Sequence, residues 1–409
     1  MQMKERARRA IEECLLIAGM TEEPGSITRR FLTAPVHDVH AHLRARMEEM
    51  GMSVRVDAAG NLRGVWQPES SSDRRLMIGS HIDTVPDAGA YDGVLGVMLA
   101  LELVSMAQEA ALRLAIEVIA FSEEEGVRFG VPFIGSRAVA GHFDSSLLAL
   151  KDSSGKTLEA AIRDFGLDPG HLNDAAVDEN VLGFFEIHIE QGPVLEAEKL
   201  SIAAVTGVVG QTRLSIEFAG QANHAGTTPM HLRHDALAGG AEWITAVESQ
   251  AQRSEGLVAT VGKIVVSPNA GNVIAGTAQM TLDVRHPHDA MRVGAAKELE
   301  ETADKIAARR GLALQVTRLM DQPAVPMDER LTAYLAESME AAGFPVKRMP
   351  SGAGHDAMVM AGRMPAALLF LRSPGGISHN PAETVREEDV EAALLVGRKF
   401  LERLAAEVG

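Results

Sequence analysis

The chain has a single cysteine, no surplus of positive charge and no long apolar run, and each shortage closes off a class of protein. One thiol, Cys14, permits no intrachain disulfide and points to a reducing compartment. A formal net charge of −17 at pH 7 argues against nucleic acid as a partner, because phosphate binding needs a basic surface that releases counterions. Any anionic substrate must then be captured by local positive charge, from metal ions or arginine, against an unfavourable overall field. No apolar stretch approaches the ~20 residues of a membrane span. The N-terminal MQMKERARRAIEECLLIAG reads as an amphipathic helix, and Glu12 and Glu13 interrupt what a signal peptide would need as a continuous apolar core. A cytoplasmic protein is expected, with neither a membrane nor a nucleic acid among its partners. Internal repeats and low-complexity tracts are missing as well, and Ser70–Asp73 (SSSD) reads as a loop.

What is there is ordinary in bulk: 409 residues, 46% hydrophobic and 23% charged, enough for two domains with a real core. Short apolar strands alternate with helices through the first half, which predicts an α/β sheet. Leu76–Gly79 and Leu114–Phe121 are buried-strand candidates, with a helix over about Val94–Gln108 between them. Further on, a strand at Gln211–Phe218, a helix at Leu237–Gln250, strands at Leu257–Val266 and Ala278–His286, a helix at Ala290–Arg310 and a strand at Ala313–Arg318 spell β-α-β-β-α-β, the ferredoxin-like pattern.

Five scattered segments each offer a hard metal ligand in a short polar motif. They are His81 in GSHIDTV, Asp92 in AYDGVLG, Glu124-Glu125 in FSEEEG, His188 in EIHIEQG and His379 in GISHNPAE. Two imidazoles, a carboxylate able to bridge and a tandem Glu pair are what a two-metal hydrolytic site needs, one Glu ligating while its neighbour handles the proton of the attacking water. Each segment alone has a plainer reading. A single His beside a strand is commonly structural, Asp83 would cap a turn, Asp92 would cap the helix that follows, and three successive carboxylates would form a solvated turn. Together they read differently. His81 and Asp83, two apart in an extended segment, share a side, so Asp83 is expected to take the proton of the second ring nitrogen and fix the tautomer. Asp92 can be bridge and helix cap at once, with Gly93 supplying the tight backbone.

The order and wording of these motifs resemble the amidohydrolase branch of the dinuclear aminoacylase/carboxypeptidase superfamily. That branch holds the N-carbamoyl-L-amino-acid hydrolases, β-ureidopropionases and allantoate amidohydrolases. GSHIDTV, SEEEGVRF, HIEQGPVLE, HAGTTPM, SGAGHDA and GISHNPAE carry the resemblance, which runs from about Ile17 to Leu401. It implies a mixed-sheet α/β catalytic domain, residues 1–207 and 322–409, interrupted by a ferredoxin-like lid and dimerisation domain, residues 208–321. It implies two divalent ions sharing Asp92, with His81 and His188 on one and Glu125 and His379 on the other. Such a mixed donor set suits Zn²⁺, Mn²⁺ or Co²⁺. Glu124 takes the role of base, and Glu123 none.

Other residues follow from the same resemblance. Gln191 matches a substrate contact, and Asn272 in NAGNVIAG and Arg285 in LDVRHP match residues that grip the substrate's carboxylate and ureido group. His224 in HAGTTPM corresponds to a histidine that reaches the partner's active site across a homodimer and stabilises an oxyanion; in a monomer it would be an ordinary surface residue. Gly354 would let backbone approach the substrate, with His355 and Asp356 organising rather than ligating. His231, His234, His286 and His288 match no motif and are expected to be solvated. VVGQTRL looks closest to the allantoate amidohydrolases, and Arg213 or Gln211 would anchor the second ureido group of allantoate; both also suit a half-exposed strand with no such task. The alternative substrates are N-carbamoyl-L-amino acids or a β-ureido acid, and a catalytically silent binding or regulatory relative would lack the base or a ligand.

Overall fold

The computed structural model describes residues 2–69 and 74–408, so the loop expected at Ser70–Asp73 lies outside the described residues. The chain divides into two compact units, residues 1–206 with 326–409 and residues 207–325.

The first unit is built on a mixed α/β sheet. Among the described residues its strands run in the order Ser53–Val56, Leu62–Trp66, Ala115–Phe121, Arg75–His81, Val181–Ile189, Ala366–Leu371, Ile202–Val208 and Val325–Pro326, with Arg348–Ser351 also paired to Ile202–Val208. The four central strands, Ala115–Phe121, Arg75–His81, Val181–Ile189 and Ala366–Leu371, are mutually parallel. Leu62–Trp66 and Ile202–Val208 flank them antiparallel. Every residue of Ala115–Phe121 and of Ala366–Leu371 is buried, as expected of parallel strands covered on both faces.

Between the first two parallel strands the chain crosses over through the helix Val94–Glu109, which is apolar almost all round and buried along nearly its whole length. It packs against the N-terminal helix Met3–Ala18, whose buried positions Ala7, Ala10, Cys14 and Ile17 recur at helical spacing. The one acid sunk in the crossover helix, Glu102, is matched by Arg6 at 2.9 Å and by Arg9 at 2.6 Å, so its burial leaves no unpaired charge. No helix among the described residues is long and apolar enough to cross a membrane.

The second unit is a four-stranded antiparallel sheet in the order Ala313–Gln322, Gly210–Ala219, Thr277–His286, Val258–Ser267. Burial alternates strictly along Gly210–Ala219 and Thr277–His286. One face, with Leu214, Ile216, Phe218, Met280 and Leu282, is clustered with residues of helices Ala236–Arg253 and Asp289–Arg310. The other face carries Gln211, Arg213, Asp283 and Arg285 at partly or fully exposed positions. The first helix begins at Ala236, one residue before the expected start, because the Asp235 carboxylate caps it by accepting from the Ala238 amide at 3.1 Å. The last strand runs on to Gln322, and the first unit resumes at Pro326 rather than at 322.

Candidate active site

Parallel strands release their loops at one edge, and this edge gathers the polar motifs. His81 is the last residue of Arg75–His81, His188 the penultimate one of Val181–Ile189, Glu124 and Glu125 follow Ala115–Phe121, and His379 follows Ala366–Leu371 after a short turn. Asp92 enters from the loop that leads into the helix Val94–Glu109.

The side chains meet around Asp92, which is buried. One of its oxygens, Oδ1, lies 3.2 Å from His188 Nε2 and 3.8 Å from His81 Nε2. The other, Oδ2, lies 3.2 Å from His379 Nε2, which is itself 3.3 Å from Glu125 Oε1. Two donor sets therefore share one carboxylate: His81, Asp92 and His188, and Asp92, Glu125 and His379, each with ligand atoms within 4.8 Å of one another. Glu124 joins His81 and Glu125 in a third such grouping. The imidazoles are oriented for coordination. His81 Nδ1 sits 3.0 Å from the Asp83 carbonyl and His188 Nδ1 2.8 Å from the Ile189 carbonyl, which places the ring proton on Nδ1 and leaves Nε2 as a lone-pair donor. A shared carboxylate between imidazole and carboxylate donors fits two divalent cations, and the concentration of buried acids calls for positive charge.

Two local expectations need correction. Asp83 divides its contacts: Oδ1 accepts from the Glu124 amide at 2.9 Å and Oδ2 from the Glu125 amide at 3.0 Å, and while Oδ1 stays 3.5 Å from His81 Nδ1, the closer partner of that nitrogen is the Asp83 carbonyl at 3.0 Å. The residue thus orients His81 through its main-chain carbonyl and anchors the Glu124-Glu125 turn through its side chain. Nor does Asp92 cap the helix. The N-cap is Gly93, with φ at 67°, and a Cβ there would stand 2.5 Å from three atoms of the His81 ring. Gln191 and His379 also hold positive φ, 57° and 53°, a conformation unfavourable for side-chain-bearing residues.

Electrostatics follow from this crowding. Burial pushes the Glu124 carboxyl well above the ordinary range, and Glu125, Asp356 and Asp83 add to that against the pull of His81. Burial raises Asp92 too, but hydrogen bonding to His188 and His379 outweighs it and holds the carboxyl well below its usual value. Hydrogen bonds to Asp92 and Glu125 lift His379 to about 10. Burial, with Asp83 and Glu125, drives the Glu123 carboxyl well upward.

Gln191 joins the same cluster, its amide donating to both Asp92 oxygens at 3.1 and 3.0 Å. Gly354 does permit a close approach, but it is that of Phe133, whose ring tip would be 2.8 Å from a Cβ at this position. His355 is buried with its ring centroid 4.4 Å from that of His188, and its Nε2 lies 3.0 Å from Ser351 Oγ. Asp356 is buried beside it.

In the second unit, His224 and Asn272 belong to neighbouring loops, joined where Asn223–His224 pairs with Val273–Ile274. His224 is exposed, and its Nδ1 accepts from the Gly226 amide at 3.0 Å, which leaves Nε2 as the ring's donor. Arg213 and Arg285 both bind Asp283, through Nε at 2.8 and 2.9 Å. His231, His234 and His288 are exposed, whereas His286 is buried, bonded to the Glu255 and His288 carbonyls at 3.1 Å each.

Sequence reasoning overlooked Glu186 and Glu383. Glu186 accepts from Ser80 Oγ at 2.7 Å and from the Ala357 amide at 2.8 Å, tying the residue before His81 to the turn after His355. Its signal was an acid inside an otherwise apolar strand, FFEIHI.

The profile of peptidase family M20/M25/M40 matches residues 77–406. Allantoate deiminase of Arabidopsis thaliana is 38% identical over 88% of this chain and 75% of its own length. N-carbamoyl-L-amino acid amidohydrolase of Geobacillus stearothermophilus is 37% identical over 89% of this chain and 90% of its own. The crystal structure of a hydantoinase/carbamoylase family amidase from Burkholderia multivorans superposes with a TM-score of 0.91 at 32% identity, covering 97% of each chain. The chain belongs to peptidase family M20/M25/M40, among its amidohydrolases that cleave C–N bonds.

Proposed function

We propose that the protein hydrolyses a ureido C–N bond next to a carboxylate, with allantoate as the substrate, using two divalent ions held by His81, Asp92, Glu125, His188 and His379. The observation that carries this reading is the single buried carboxylate of Asp92 facing a different donor set with each oxygen, beside the elevated carboxyl of Glu124. When bound, the ions supply Lewis acidity toward the ureido carbonyl and make water more acidic.

The chain's own groups do the rest. Glu124 accepts the proton of the attacking water and passes it to the departing nitrogen, a role helped by a carboxyl whose affinity for protons is raised. His224, with Nε2–H as its donor, stabilises the oxyanion, reaching the neighbouring subunit of a homodimer from a second unit that acts as lid and dimerisation domain. Gln191, Asn272, Arg213 and Arg285 orient the substrate. Water adds to the ureido carbon, the C–N bond to the terminal nitrogen breaks, and ammonia leaves. The remaining carbamate loses carbon dioxide, giving ureidoglycine and, with further hydrolysis, ureidoglycolate.

Allantoate is favoured by the QTR segment, which sets Gln211 and Arg213 side by side with Arg285 around Asp283 and so provides more polar anchoring than a simple side chain would need. Ammonia release by the metal-reconstituted protein should give the highest kcat/KM on allantoate, above N-carbamoyl-L-amino acids and 3-ureidopropionate. A higher value on an N-carbamoyl-L-amino acid would transfer the assignment to that substrate, and no turnover of any ureido acid would refute the reading.

A further inference from the structure

Glu383, the last residue of GISHNPAE, lies four residues beyond His379 and is buried, yet it ligates nothing in the arrangement above. Its Oε1 accepts from two consecutive main-chain amides, Tyr91 at 3.0 Å and Asp92 at 3.1 Å. Its Oε2 accepts from the Ser378 hydroxyl at 3.0 Å. Ser378 in turn lies 3.4 Å from Asp92 Oδ2 and receives the Gln191 amide at 3.3 Å. The segment is folded back on itself to make this possible: the Asn380 side chain accepts from the Ala382 amide at 2.9 Å and the Asn380 carbonyl from the Glu383 amide at 3.0 Å. On the opposite side, Gly89 leaves the space the carboxylate occupies, since a Cβ there would fall 2.3 Å from Glu383 Oε1.

We infer that Glu383 is a positioning residue that locks the Asp92 turn to the His379 turn and so sets the spacing of the donor set Asp92, Glu125 and His379. Two ligands nearly 300 residues apart in sequence, one of them held at a positive φ, need a fixed link if their donor atoms are to stay 3.2 Å apart. Glu383 provides it through three hydrogen bonds, two of them to backbone, where a charged acceptor is strongest. The inference rests on the reading that these residues bind metal.

The test is a chelator-competition titration of Zn²⁺ and of Mn²⁺ on the intact protein, without substrate. Glu383→Ala and Gly89→Ala should each weaken one of the two equivalents tenfold or more, the loss expected when an outer hydrogen-bond partner of a ligand is removed. Glu383→Gln keeps an oxygen for the two amides and should stay within about threefold of wild type, where a residue needed only for folding would show no such rescue. A folded Glu383→Ala or Gly89→Ala that binds both equivalents with wild-type affinity overturns the inference, as does a Gln variant that loses as much as Ala. Should both Ala variants fail to fold, Ser378→Ala removes the Oε2 contact together with those to Asp92 Oδ2 and the Gln191 amide, and unchanged affinity there overturns it too. A wild type that binds both ions but hydrolyses no ureido acid fails the functional reading and leaves this one standing. A wild type that takes up no divalent ion overturns both.

Discussion

Gly93→Ala is a one-methyl perturbation whose consequence is fixed by the geometry around Asp92. The added Cβ would lie 2.5 Å from Cγ, Cδ2 and Cε1 of His81, well inside van der Waals contact. His81 cannot swing clear, because its Nδ1 is bonded to the Asp83 carbonyl at 3.0 Å and its Nε2 already lies 3.5 Å from that of His188. The backbone at φ 67° and ψ −54°, outside the left-handed helical region, adds a cost of about 1–3 kcal/mol for a residue with a side chain, and forcing a methyl into a filled site adds about 1–3 kcal/mol. Both are modest against the roughly 5–15 kcal/mol that stabilises a domain, so the variant should fold. Its melting temperature should fall by roughly 5–15 °C. Relief of the clash requires His81 or Asp92 to move, so the variant should lose metal as well, to less than one equivalent by elemental analysis, and turnover with it. Gly343→Ala supplies the control: its φ is +84° with nothing within 4 Å of the new methyl, so it should show the backbone cost alone and keep its metal. A Gly93→Ala protein with two equivalents of metal and a melting temperature within a degree of wild type would refute the reasoning.

Glu124→Gln should keep both metals yet lose turnover by ~10²–10⁴, since an amide cannot accept the proton; more than a tenth of wild-type rate would remove Glu124 from the base role. Mixing His224→Ala with Glu124→Gln subunits should restore part of the activity, because hybrid dimers carry one intact composite site, and no recovery despite proven subunit exchange would deny His224 a role in trans. Arg213→Ala should cut kcat/KM on allantoate about tenfold or more, the worth of a charged hydrogen bond, and less on N-carbamoyl amino acids; equal losses on both would leave Arg213 a plain strand residue. Burial, with His37 and Arg44, holds buried His40 down to about 4, below its unfolded value of about 6.5. Its neutral form is therefore favoured by folding. The associated stability is full above pH 6.5 and is lost as pH falls toward 4, by up to about 3 kcal/mol. His40→Leu should flatten that part of the urea-unfolding profile between pH 7.5 and 4.5, and an unchanged slope would show that His40 does not bind the extra proton on unfolding.

Two of the central strands of the first unit, around Leu76–Gly79 and Leu114–Phe121, and the four long strands of the second were legible because short apolar runs broken by glycine and polar turns have few other ways to fold, while the remaining strands of the mixed sheet went unassigned. The polar motifs were legible for a related reason: in a parallel sheet the loops at the carboxyl ends share one edge, so ligands written after successive strands converge without any need to know which strand pairs with which. His81, Glu125, His188 and His379 come together on that logic, and Asp92 joins them from the adjacent crossover. The failures have a common physical origin in contacts that depend on register or on a turn's exact path. Asp83 was assigned to the His81 ring because two residues of extended chain place both on one side, and its carboxylate does stay 3.5 Å from Nδ1, but the main-chain carbonyl comes closer, at 3.0 Å. Its carboxylate finds the amides of Glu124 and Glu125, forty-one and forty-two residues on.

The same limit explains the second unit. Period-two alternation correctly separates Gln211 and Arg213 from Thr212 and Leu214, but it says nothing of which residue on the next strand stands opposite. Register sets Asp283 against Arg213 and Arg285 against Gln211, so a carboxylate sits among groups that sequence reading had reserved for substrate. That carboxylate changes what the arginines can do. With Arg285 engaged by Nε and Nη2 on Asp283, and Arg213 by Nε, the two guanidiniums are held in fixed directions rather than swinging on exposed stems. A fixed fork discriminates between ligand shapes, because less side-chain entropy is lost on binding and a misplaced acceptor cannot be followed. If this face meets substrate, selectivity between ureido acids should therefore depend on Asp283 as much as on the arginines it holds.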